Sequence, residues 1–181
     1  MITIVHGGQT GVDRGAHDAA LDNAWRVTGY MPRDGRDELG QIPQTVARFL
    51  MPHDKPGLGA RTEANVRMAA AALIVVRKAD DPRVTPGTAQ TVDLVTLRHL
   101  PQMVVDPTTD PTKIARWIWS SLLAHHTLML PLGALPREQQ QEPPRLLVAG
   151  PRESKWPGAQ IMTATLLRHT ARALITIQTP P

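Results

Sequence analysis

The chain has 181 residues, 41% of them hydrophobic and 20% charged, which excludes a disordered or fibrous polymer and fits a single domain over residues 1–181. No cysteine is present, so disulfides, thiolate zinc sites, iron–sulfur ligation and a cysteine nucleophile are ruled out. The net charge of +4 comes mostly from scattered arginines with only 3% aromatics, which reads as a solvated basic surface sooner than a nucleic-acid patch and leaves binding of small anions open.

Residues 1–8 carry no basic leader, and the longest apolar run, Met68 to Val76, is too short to span a bilayer; a cytoplasmic protein is expected. Ile2 to Val5 predicts a β-branched strand ended by Gly7-Gly8. Asp13 to Asn23 follows as a helix with Ala16, Ala20, Leu21 and Ala24 near one face. Trp25 to Tyr30 predicts a second strand, and residues 32–60 a long loop holding one helical turn. Arg61 to Ala72 reads as a helix and Leu73 to Val76 as a buried strand. After the turn Pro86-Gly87-Thr88 come a helix over Ala89 to His99 and a strand over Gln102 to Val105.

Asp110-Pro111 has the form of an N-cap followed by proline at the first helical position, which predicts a helix to about His125. Trp117 and Trp119 are two apart on it and point to nearly opposite faces. One is expected in the core and the other at the interface of a homo-oligomer. Pro131 to Pro144 predicts an exposed excursion. Leu146 to Ala149 reads as a fifth strand, and Pro157 opens a helix to about Arg172. Ala173 to Gln178 is expected to be an edge strand or a tail. Short buried strands alternating with helices predict an α/β fold: a doubly wound, mainly parallel sheet with helices on both faces.

In such sheets ligands bind beyond the carboxyl ends of the strands, and the informative residues gather there. Gly7-Gly8-Gln9-Thr10-Gly11-Val12-Asp13-Arg14 combines flexible glycines with a helix start. It serves either as a tight turn or as an anion site, and Gly8→Val is expected to block close approach of a phosphate. Thr88 either caps its helix or binds phosphate, with Gly87 beside it. In Gly150-Pro151-Arg152-Glu153-Ser154, the serine and amides suit an anion that Arg152 neutralises; the plain alternative is a loop with a solvated ion pair. Arg61 and Asn65 share a helix face. Seven histidines show no zinc-helix spacing, so no protein-ligated metal is expected.

These residues, Gly7 to Arg14, Arg61 to Asn65, Pro86 to Thr88 and Val148 to Ser154, occur in an order that resembles the putative molybdenum carrier family. That family is part of a wider group of Rossmann-like domains that includes lysine-decarboxylase-like, nucleotide-binding proteins. The resemblance implies a Rossmann-like fold and a carrier for a phosphorylated heterocycle, with molybdenum cofactor, a phosphorylated pterin, as the candidate. A nucleotide-processing hydrolase and a nucleotide-sensing module are the alternatives. Related phosphoribohydrolases place a glutamate soon after their Gly-Thr turn, where this chain has Ala89, Gln90 and Thr91, so a non-enzymatic role is favoured. His6 stands where many carrier-like sequences have a small polar residue. Finding Asp13 or Glu153 beside the glycine turn in a pocket would favour hydrolysis.

Overall fold

The computed structural model describes residues 2–128 and 142–178. Its centre is a five-stranded parallel sheet. The strands are β1 (Thr3–Val5), β2 (Arg26–Thr28), β7 (Ala71–Val75), β8 (Gln102–Val105) and β9 (Arg145–Ala149), in the order β2-β1-β9-β7-β8. The helices are α1 (Val12–Asp22), the single turn α2 (Gln44–Ala47), α3 (Leu58–Met68), α4 (Pro86–Leu97), α5 (Pro111–Leu128) and α6 (Ala159–Gln178).

Successive residues of a strand face opposite sides, and here both sides are apolar. Ile4, Leu73, Val75, Leu146 and Val148 pack beneath α1, α5 and α6. Val5, Ala72, Ile74 and Leu147 pack with Val66 of α3 and with Val92 and Val95 of α4 on the other face. All five residues of β7 are buried, as a strand covered on both faces requires. The sheet and its two helical layers therefore match the expected fold class. If the unit β9–α6 is counted first, the strand order reads 3-2-1-4-5, the doubly wound order. The last unit of the chain thus fills the central place in the sheet.

Residues 30–52 form a small lobe beside this sheet. β3 (Tyr30–Met31) pairs in parallel with β6 (Met51–Pro52), and β4 (Arg36–Asp37) pairs with β5 (Gly40–Gln41) as a hairpin. Ile42, Val46 and Leu50 make its own apolar cluster against Val27 and Met31. The loop expected over residues 32–60 therefore contains these short pairings as well as the single turn α2.

Two expectations need correction. Ala173 to Gln178 is neither strand nor tail but the last turns of α6, because Leu174 is buried and Ala173 and Ile177 lean on the main core. Trp117 and Trp119 are both half-buried against that same core, so neither is the fully buried core residue that was expected of one of them. Residues 131–141 of the expected excursion lie outside the described residues. Asp110 caps α5 as expected, its Oδ1 accepting from the Thr112 amide at 2.8 Å. Among the described residues no helix is long and apolar enough to cross a membrane.

Candidate functional site

The β1–α1 turn folds upon itself. Asp13 Oδ2 accepts from the amides of Gly7 and Gln9, each at 3.0 Å. His6 Nδ1 accepts from the Gly8 amide at 3.0 Å, and Gln9 Oε1 from the Thr10 amide at 3.1 Å. The amides expected to hold a phosphate are thus engaged within the turn. Gly8 has φ +75°, and a Cβ there would come within 2.7 Å of Leu50 in the side lobe. Gly8→Val therefore strains the fold and does not isolate ligand binding. Gly11 lies against the backbone of residues 151–153, where a Cβ would meet Pro151 O at 2.6 Å. Arg14 turns away from the cleft, donating from Nε to Gly8 O at 3.2 Å and pairing with Asp37 at 2.5 Å.

Helix α3 brings Arg61 to this turn. Its Nη1 donates to Gly7 O at 2.6 Å and stands 4.0 Å from Asp13 Oδ2. Its Nε is buried and has no hydrogen-bond partner. Burial pulls the guanidinium below its usual range, while Asp13 opposes that shift. Burial likewise raises the Asp13 carboxyl, against the pull of Arg61 and of the Gln9 and Gly7 amides. Asn65 shares the face with Arg61 but has a different task. It accepts from Tyr30 N at 2.7 Å and donates to Tyr30 O at 3.0 Å, clamping α3 to β3.

Helix α4 begins at Pro86, and its cap is Thr85, not Thr88: Thr85 Oγ1 accepts from the Thr88 amide at 3.2 Å. Thr88 is buried and shares a 2.8 Å hydroxyl contact with Thr85. Gly87 is exposed, and a side chain built there meets nothing within 4 Å.

The β9–α6 loop holds an anion, but that anion is the protein's own Glu38. Its carboxylate accepts from the Ser154 amide at 3.1 Å, from the Ser154 hydroxyl and from the Thr10 hydroxyl, with Arg152 Nε 3.7 Å away. Burial pushes this carboxyl up, but the Ser154 and Thr10 hydrogen bonds with the Arg152 charge outweigh it and hold it below its ordinary range. Glu153 is a capping residue: it accepts from the amides of Gly158 at 2.5 Å and Gln160 at 3.1 Å at the start of α6. Sequence reasoning missed Glu38, which carried no motif signal of its own.

These parts enclose a cleft of about 290 Å³ beyond the carboxyl ends of β1, β7 and β9. Gly7, Gln9, Asp13, Arg61, Asn65, Gly87, Thr88, Gly150 and Arg152 line it, together with Lys155 and Gln90. Gly8, Thr10, Gly11, Arg14, Glu153 and Ser154 do not; they shape or brace its wall. A second basin of about 680 Å³ adjoins it, sharing Gln9 and Arg152 and reaching Glu38 and Arg36. The cleft sits between β9 and β7, the point at which a 3-2-1-4-5 sheet changes direction. No group of three histidine or acidic side chains with metal-binding placement occurs among the described residues.

The circularly permutated YpsA SLOG family matches residues 4–171. A crystal structure of a protein from Syntrophus aciditrophicus, described as a putative molybdenum carrier protein, is similar at 26% identity and a TM-score of 0.74, over 94% of both chains. Comparison with curated proteins gives no match. A permutation is visible in the sheet itself, where the last β–α unit takes the central place. The chain belongs to the circularly permuted YpsA SLOG family.

Proposed function

We propose that this chain is a binding or carrier protein for a phosphorylated heterocycle, with the phosphorylated pterin of molybdenum cofactor as the leading cargo. The observation that carries the reading is the convergence of Arg61, Arg152 and Lys155 on one cleft at the start of α4. Arg61 presents a buried Nε without a partner, which a bound anion would satisfy. The exposed Gly87 leaves the mouth of the cleft open beside the first turn of α4, where amides favour negative charge. The donors fit the phosphate of such a cargo. With no cysteine in the chain, side-chain thiolates play no part in holding it. The name given to the Syntrophus aciditrophicus protein supports the same direction.

Native mass spectrometry of protein purified without denaturation is expected to show a phosphorylated heterocycle on the chain. A bare chain whose melting temperature moves with neither adenosine monophosphate nor a pterin phosphate overturns the proposal.

Nucleotide hydrolysis is the second reading, because Asp13 does line the cleft and burial raises its carboxyl. Its Oδ2 is held by two amides, and a general acid or base must instead reach the sugar. Near α4 the cleft offers Gln90 and Thr91, and the Thr91 hydroxyl donates to Gly87 O at 3.0 Å. Little release of free base from adenosine monophosphate is therefore expected. Robust release that disappears in Asp13→Asn would make the protein an enzyme.

A further inference from the structure

Four groups from two distant loops converge on the Glu38 carboxylate: the Thr10 hydroxyl, the amide and hydroxyl of Ser154, and the Arg152 guanidinium. Hydroxyls, an amide and a guanidinium around one centre are the donor set that binds phosphate oxygens. Glu38 reaches this nest from the hairpin β4–β5, which belongs to the side lobe and not to the sheet. Besides the Glu38 carboxylate, further bonds tie the hairpin to the main body. Gln9 Oε1 accepts from the Glu38 amide at 3.2 Å, and Asp37 pairs with Arg14 at 2.5 Å. Next to Glu38, at the tip of the hairpin, Leu39 is 83% exposed. The nest borders the 680 Å³ basin, and Arg152 faces both that basin and the main cleft.

We propose that Thr10, Arg152 and Ser154 form a second phosphate subsite, which Glu38 fills in the free protein. A ligand with two phosphoryl groups, such as a pyrophosphate ester, places one at Arg61 and α4 and exchanges the other for the Glu38 carboxylate. The exchange keeps the donors of the nest satisfied throughout and releases the hairpin into the basin. The inference rests on the proposed cleft for its first phosphate, but the nest itself is tested by an ion too small to need the heterocycle.

Inorganic pyrophosphate is titrated by calorimetry into the wild-type chain and into Glu38→Gln, with circular dichroism confirming that the variant folds. Removing a resident competitor that leaves about one molecule in ten open raises apparent affinity about tenfold. That gain is expected in Glu38→Gln, and Arg152→Gln added to it is expected to abolish it. Unchanged or weaker pyrophosphate binding in Glu38→Gln overturns the proposal. Hydrogen exchange on the wild-type chain supplies a reading that needs no variant. At saturating pyrophosphate the amides of residues 38–41 should exchange faster while that of Ser154 stays protected; slower exchange at 38–41 contradicts the inference. Adenosine monophosphate, titrated in parallel, reports on the main cleft alone. Failure of both adenosine monophosphate and a pterin phosphate to bind, while pyrophosphate behaves as expected, would remove the proposed cargo and leave the nest standing.

Discussion

Burial favours the neutral form of a histidine, and this chain buries two in contact, with Asp18 opposing the effect at His17. His6 Nδ1 takes the Gly8 amide, which leaves the proton on Nε2, facing His17 Nδ1 at 3.2 Å. Burial, then the neighbouring His17 and the arginines, push His6 down to about 3, and burial lowers His17 as well. Both therefore have folded values below the unfolded value of about 6.5, so their contribution to stability is complete above that pH and is lost as pH falls below it, for His6 over the range down to about 3. His6 contributes a slope on the order of 1 kcal/mol per pH unit in that window. Asp13 acts in the opposite sense, since its raised value favours the folded state as pH falls. Urea melts from pH 7.5 to pH 5 are expected to show falling stability, with a shallower slope in His6→Asn; an identical slope in the variant would exclude His6 as the source. Arg61 belongs to the same scale. Loss of its charged hydrogen bonds in Arg61→Met should weaken phosphate-ester binding by about 1.5–3 kcal/mol, which calorimetry reads as about 10- to 150-fold. Unchanged affinity in a folded Arg61→Met chain would separate this residue from the ligand.

At the scale of elements, α1 and α6 lie so close that Gly15 has no room for a side chain. A Cβ there would stand 2.4 Å from Gln160 O and 2.7 Å from Thr163 Cβ. Gly15→Ala should therefore cost about 1–3 kcal/mol through overpacking, seen as a fall of several degrees in melting temperature. A rise instead would show that the helices can separate freely. This contact was not legible in the sequence, because its partners are far apart along the chain. Ala71 and Ala72 of β7 read as the end of the preceding helix, because no turn residue separates the two elements, whereas strand β9 was legible as a short apolar run between Pro144 and Gly150. The end of α6 was not: Ile175, Thr176 and Ile177 have local β preference, and packing of Leu174 against the core overrides it. The glycine turn was legible as a turn, but its engaged amides depend on Asp13 and His6 folding back upon it. Glu38 had no local signal, because Ser154, its partner, lies 116 residues away.

For the whole molecule, the sheet order places the last described β–α unit, β9–α6, at the centre, where a first unit would pack. A chain opened between Leu128 and Glu142, with its original ends joined by a short flexible linker, would run β9–α6 first and give the sheet in the order 3-2-1-4-5. It is expected to melt cooperatively and bind adenosine monophosphate as the original chain does; failure to fold would show that the present order of synthesis is required. The resemblance of the motifs foretold the fold, but the permutation became visible only when β9 was seen between β1 and β7. The central claim is that the cleft between β9 and β7 binds its ligand through a phosphate. Calorimetry comparing adenosine monophosphate with adenosine tests this most directly, using wild type and Gly87→Leu, whose side chain enters open space and not the folded interior. Binding of the phosphorylated compound alone, and its loss in Gly87→Leu, are expected; equal affinity for the two compounds, or undiminished binding in the variant, would show that the cleft does not hold its ligand by a phosphate.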